Sequence, residues 1–162
     1  MEESNYQDNL NKKYSEVISQ IDERRHRYYN LNSIGNFIFH FEELKDQDKE
    51  KVFEHIIEYL DLIQEIDRDE VREIREIRKG TRQLSEEYIF PLAHNYYSSL
   101  AMGFTPYSRW TVIYAFFIIG LLVLYIIGAD LFWYYPVSIL FFSYHLYLLY
   151  KKSKKRVYGF SY

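Results

Sequence analysis

The sequence predicts an all-α protein: a helical bundle or coiled coil of three to four helices, followed by a C-terminal two-helix transmembrane hairpin. Three observations predict it. Apolar residues recur at helical spacing through most of residues 5–100, with no sustained period-two alternation. Two runs of twenty residues, 110–129 and 131–150, lack Asp, Glu, Lys and Arg, and only Asp130 separates them. Charge also divides the chain: residues 1–108 carry 14 Lys/Arg against 22 Asp/Glu, residues 109–162 carry 6 against one. The net charge of −3 over 162 residues is therefore an average of two unlike parts.

The first segment places Leu10, Tyr14, Val17, Ile21, Tyr28 and Leu31 at spacings of four and three, with Arg24 in one slot. That is a short heptad seam. Asn30 to Ser33 and Gly35 then predict a bend. Ile34, Phe37, Ile38 and Phe41 make the next apolar face. Asp46 or Asp48 is placed to cap a helix carrying Val52, Phe53, Ile56, Ile57, Leu60, Ile63 and Ile66. Asp67 and Glu70 have the spacing of a capping box, so a new helix starts there or one helix runs on to about residue 79. Val71, Ile74 and Ile77 alternate with Arg72, Arg75 and Arg78 and read as a solvated connector. Pro91 predicts a break near Phe90. Beyond it, an uncharged helix with Leu92, Tyr96 and Leu100 on one face lies in a membrane interface or packs on the helical domain.

The expected organisation is thus a helical domain at 1–90, a juxtamembrane helix and linker at 91–107, the hairpin at 108–150 and a basic tail at 151–162. Each uncharged run is long enough, at about 1.5 Å per residue, to span the roughly 30 Å core of a bilayer. Arg109 precedes the first run, and five of residues 151–156 are basic. Such flanks stay cytoplasmic, so both termini are expected there, with Asp130 opposite. A plasma or inner membrane is expected rather than an organelle. Tyr107, Trp110, Trp133 and Tyr150 are among the aromatic anchors, and Pro136 suits a first helical turn.

Candidate functional residues lie in or between the two runs. Tyr134, Ser138 and His145 share one face of the second helix, and with Asp130 they line a pore or join helices; Thr111 and Tyr114 are the facing candidates. Lys151, Lys152, Lys154, Lys155 and Arg156 fix topology or contact anionic lipid. The expected partners are the lipid bilayer and either further copies of the chain or another membrane or cytoplasmic protein. The acidic N-terminal part argues against nucleic acid. The expected function is protein–protein interaction or self-assembly at the membrane. The alternative is an oligomeric pore, ion channel or membrane-disrupting effector.

Catalytic and cofactor chemistry has little to stand on. Without cysteine there are no disulfides, thiolate zinc sites or Cys nucleophiles. Glu23 and His26 form one Glu-x-x-His pair, where a di-iron bundle needs two, and they read as a solvated face. No Gly-rich phosphate loop or nucleophile elbow occurs, so no cofactor is expected and nothing argues for catalysis; the third and weakest option is a membrane-anchored enzyme using carboxylates and His of the bundle.

Two C-terminal spans, a tiny loop and a lysine-rich tail resemble the membrane end of CorA-type magnesium channels over about residues 105–156. Gly128-Ala129-Asp130 stands where that family has Gly-Met-Asn, and 105 residues are too few for its soluble domain. The likeness is one of topology, not kinship.

Overall fold

The computed structural model describes residues 4–68, 82–97 and 104–159. Helices α1 (Ser4–Gln20), α2 (Glu23–His26), α3 (Leu31–Phe39) and α4 (Asp46–Arg68) precede α5 (residues 82–97), α6 (Ser108–Ile126) and α7 (Tyr134–Ser153). The sequence shows no strand signal, yet two-residue strands β1 (Thr105–Pro106) and β2 (Val157–Tyr158) pair in parallel. Such pairing needs a crossover connection, and here α6 and α7 supply it.

Helix α1 packs on α4 and α3, and α5 closes over α4. The α4 stripe is buried as its spacing predicts: Val52, Ile56, Leu60 and Ile63 are inaccessible to solvent. So are Ile34, Phe37 and Phe41 on the α3 side. Polar residues line the edge of the α1–α4 contact. Lys13 Nζ donates to Gln64 Oε1 at 2.7 Å, and Gln64 Nε2 donates to Gln20 Oε1 at 2.7 Å.

The coiled coil is not formed. Asp22 leaves the helical region (φ −55°, ψ 130°), and its carboxylate accepts the Arg24 N–H at 2.8 Å. That cap ends α1 and starts α2. Leu10, Val17 and Ile21 stay buried as members of a bundle core. Past the break Tyr29, not Tyr28, turns inward, and Tyr29 donates its hydroxyl to Asp67 at 3.0 Å. Asp67 also accepts from Arg25 at 2.9 Å. Asp67 thus clamps α4 to Arg25 and Tyr29; the capping box with Glu70, the alternative of one helix to about residue 79, and Val71, Ile74 and Ile77 lie outside the described residues.

The break at Phe90 is also absent. Helix α5 runs through Pro91, whose backbone is helical (φ −61°, ψ −43°). Its turns widen on both sides: Phe90 N–H donates to Ser85 O and Tyr97 N–H to Leu92 O, each five residues back. A π-helical turn makes room for a proline ring that a regular turn would reject. Leu92, Ala93 and Tyr97 are buried in the core, so this part of 91–107 is a bundle element and not an interfacial helix. Leu100 lies outside the described residues.

Helices α6 and α7 pack antiparallel, shown by Phe117 stacked on Phe141 (4.0 Å between centroids) and Gly120 facing Val137. Helix α6 ends in a Schellman turn: Ala129 N–H donates to Leu124 O and Gly128 N–H to Tyr125 O, with Gly128 at φ +64°. Only glycine enters that left-handed turn without cost. Among the described helices, α6 alone is long and apolar enough to cross a membrane. Helix α7 falls short of the expected second span because five tyrosines, His145 and two lysines dilute its aliphatic content.

Candidate functional site

Polar contacts join the bundle to the α6–α7 pair at one junction. The β1–β2 ladder ties both ends of the hairpin together: Thr105 N–H donates to Arg156 O at 3.0 Å and Tyr107 N–H to Tyr158 O at 2.7 Å. Helix α3 holds β2 from the other side. Asn36 Nδ2 donates to Val157 O at 2.8 Å, and Gly159 N–H donates to Ser33 Oγ at 3.0 Å. Asn36, Ser33 and Val157 are buried, so these bonds are shielded from water. Phe37, Tyr97, Phe104 and Tyr158 fill the space beneath.

A second tie joins the same surfaces. Buried His40 meets Glu43 Oε1 through Nδ1 at 2.6 Å and Lys154 O through Nε2 at 2.7 Å. The ring is therefore held at both nitrogens, one toward α3's own neighbour Glu43 and one toward the end of α7. Arg156 donates to the other Glu43 oxygen at 2.6 Å.

These contacts revise the basic tail. Lys151 is only 2 % exposed, and burial, with Arg156 and Arg109 nearby, lowers its pKa. Arg156 is committed to Glu43. Lys152, Lys154 and Lys155 remain exposed. Lys154 Nζ sits 5.9 Å from the Tyr150 ring centre, and Lys155 Nζ lies 4.2 Å from that of Phe39. The segment is not a loose tail: α7 ends, turns and enters β2.

A cavity of about 520 Å³ opens at this junction. Tyr14, Asn32 and Asn36 line it from the bundle, Tyr107 from the entry of α6, and Lys152 and Lys155 from the end of α7. Gly35 lies between the two asparagines. Tyr14 donates its hydroxyl to Leu31 O at 2.9 Å, and burial raises its pKa to about 12.

The predicted polar stripe is half realised. His145 is half-buried in the α6–α7 seam, where Nδ1 meets Tyr114 Oη at 3.1 Å and Trp110 stands edge-on at 5.3 Å. Tyr114 and Thr111 are the two facing candidates on the first helix; both are exposed, and Tyr114 is the one bonded to His145. Tyr134 and Ser138 are half-buried on the same side of α7. Asp130 stands apart, exposed at the turn beside a separate cavity of about 450 Å³. The structure thus brings His145 and Tyr114 together and leaves Asp130 distant from them.

On α4, Phe53, Ile57 and Leu62 form the apolar part of a groove of about 580 Å³ edged by Glu54, Glu58, Asp61 and Glu65. No group of three or more His, Asp or Glu converges as a metal site among the described residues. His26 bonds Ile21 O at 2.9 Å.

Asn36, Ser33, His40 and Glu43 were not singled out for this junction. Their partners across the junction lie more than a hundred residues away, and no local period marks such pairs. A faint signal existed: Ser33 and Asn36 are polar residues within the apolar α3, where an unpaired polar group would be costly.

No protein-family model matches the chain, and no curated protein or solved structure shows significant similarity to it.

Proposed function

We propose that the chain is a two-pass integral membrane protein whose helical bundle mediates protein–protein contact or self-assembly at the cytoplasmic surface. One observation carries the reading: the outward faces of α6 and α7 are apolar and exposed along both helices. Phe116, Ile118, Ile119, Leu122 and Ile126 on α6 face away from the seam, as do Ile139, Leu140, Phe142 and Leu146 on α7. Water would penalise that surface at about 25 cal/mol per Å², and soluble monomers rarely show such contiguous apolar patches. A bilayer removes the penalty. Tyrosine rings belong at its boundary, so α7 serves as the second span despite its composition. The ladder and the α3 ties hold both hairpin ends on the bundle side, as two crossings require.

The Tyr114–His145 bond occupies the polar stripe within one hairpin. It favours helix cohesion over a pore lumen and ranks self-assembly ahead of conduction. The acidic groove on α4 supplies a surface for a basic, amphipathic partner helix. Alkaline carbonate treatment of membranes is the first test: the chain stays with the bilayer and leaves only in detergent. Release by carbonate refutes the span. Sizing in detergent then expects more than one copy per particle or a bound partner.

A further inference from the structure

We infer that Phe39 and Phe90 seat the helical bundle on the headgroup layer of the cytoplasmic leaflet. The inference rests on the proposed membrane hairpin and deepens it. Outside α6, α7 and the turn between them, these two are the exposed large apolar side chains among the described residues, 58 % and 38 % accessible. The residues beside them follow the bundle pattern: Ile38, His40 and Ile89 are buried. Apolar side chains scattered singly over a surface need no explanation, but these two share a location.

Both rings lie against the segment that leaves the second uncharged run. Lys155 Nζ is 4.2 Å from the centre of the Phe39 ring, and the Phe90 ring stands edge-on to Tyr158 at 6.0 Å. Lys155, at φ +54°, turns the chain from α7 toward β2. Tyr158 O accepts the Tyr107 N–H at the entry of α6. Each ring is thus placed within a few residues of a hairpin end. From Tyr150 to Lys155 the chain rises about 7 Å at helical spacing. The headgroup layer of each leaflet is about 5–7 Å thick. If the uncharged runs span the bilayer, both rings stand at headgroup depth, where the apolar side chains of interfacial helices are accommodated.

Charge adds an independent observation. Lys154 and Lys155 are exposed on the Phe39 side. The nearest acids along the chain, Glu42 and Glu43, are held by Lys49 at 3.4 Å and Arg156 at 2.6 Å. An apolar ring with a cationic border suits an anionic leaflet. On the other side Glu87 is exposed three residues before Phe90, so that ring sits shallower. A lipid surface is also the occupant continuous with the apolar outward faces of α6 and α7.

The test uses the full chain reconstituted in vesicles of phosphatidylcholine and phosphatidylglycerol in equal parts. The chain has no native cysteine, so Phe39→Cys, Phe90→Cys, Leu140→Cys and Ser19→Cys each carry a single nitroxide spin label. Power saturation compares collisions with oxygen, which dissolves in lipid, and with a nickel chelate, which stays in water. Leu140, exposed on the outward face of α7, is the lipid reference. Ser19 is the water reference: it is exposed at the far end of α1, whose Gln7 bonds Ile38 O beside Phe39. The label at residue 39 should meet the chelate several-fold less often than the label at residue 19, and oxygen more often, with residue 90 between them. Residues 39 and 90 are exposed, so both variants should keep the wild-type circular dichroism. A label at residue 39 that matches residue 19 would overturn the inference. So would one shielded from oxygen and chelate alike, the signature of a second copy or a protein partner on the patch. Residue 140 separates the two failures. Lipid at residue 140 with water at residue 39 refutes the seat alone; chelate access at residue 140 refutes the hairpin, and the seat with it.

Discussion

Gly35→Ala is the substitution whose sign depends most on the packing described here. On helix propensity alone, alanine in place of glycine inside α3 stabilises by about 1 kcal/mol. The structure opposes it. A β-carbon at Gly35 would collide with Tyr14 Oη and sit 2.9 Å from its Cζ. Tyr14 cannot yield without breaking its bond to Leu31 O, worth about 1 kcal/mol. Displacing the ring or straining α3 adds about 1–3 kcal/mol. The net is a loss of about 2 kcal/mol, or a melting temperature lower by roughly 4–8 °C for a chain of this size. Thermal unfolding of the full chain in detergent, followed by circular dichroism at 222 nm, measures it. Repeating Gly35→Ala in a Tyr14→Ala background should reverse the sign, leaving the propensity gain. Stabilisation by Gly35→Ala alone would show that Tyr14 does not pack there.

Three further outcomes follow from the same contacts. Asn36→Ala strands the buried Val157 carbonyl and should cost about 1–3 kcal/mol, with hydrogen exchange at Thr105 and Tyr107 rising more than exchange in α4. Leu60→Ala in the bundle core should cost about 2–5 kcal/mol, whereas Leu122→Ala on the outward face of α6 should cost under about 1 in detergent; equal costs would mean that the α6 face is packed against protein. Burial raises the phenol pKa values of Tyr14, Tyr59 and Tyr97, so the fold favours their neutral forms. That contribution is complete below pH 10 and is lost as pH rises toward 12. The melting temperature should therefore hold to about pH 9.5 and fall above it, with tyrosinate absorbance at 295 nm rising in step with unfolding.

Helical spacing makes much of the bundle legible in the sequence. The stripes of α3 and α4 are where the sequence places them, because burial of one helix face imposes a period that neighbours in sequence reveal. Asp22 shows the limit. One side-chain bond to the Arg24 N–H caps α2 and breaks the heptad seam after α1, and the heptad count carries no information about that choice. Pro91 misled for a related reason: the rule against proline in helices assumes regular turns, and the widened turns at residues 85–89 and 92–96 lift it. The candidate site was half legible. His145 and Tyr114 stand out as polar groups in apolar runs. Asn36, Ser33 and His40 act on residues 157, 159 and 154, pairings that only the folded chain creates. The tail lysines were read as one set, but the turn at Lys155 and the burial of Lys151 give them separate roles.

The central claim is that the α6–α7 pair crosses the bilayer twice and returns to the bundle. The chain contains no cysteine, so single introduced thiols report topology without background. Asp130→Cys and Ser153→Cys should be compared in intact cells with a membrane-impermeant maleimide. The account predicts labelling of the residue 130 thiol from outside, and labelling of the residue 153 thiol only after permeabilisation. Labelling of both positions from the same side would contradict it.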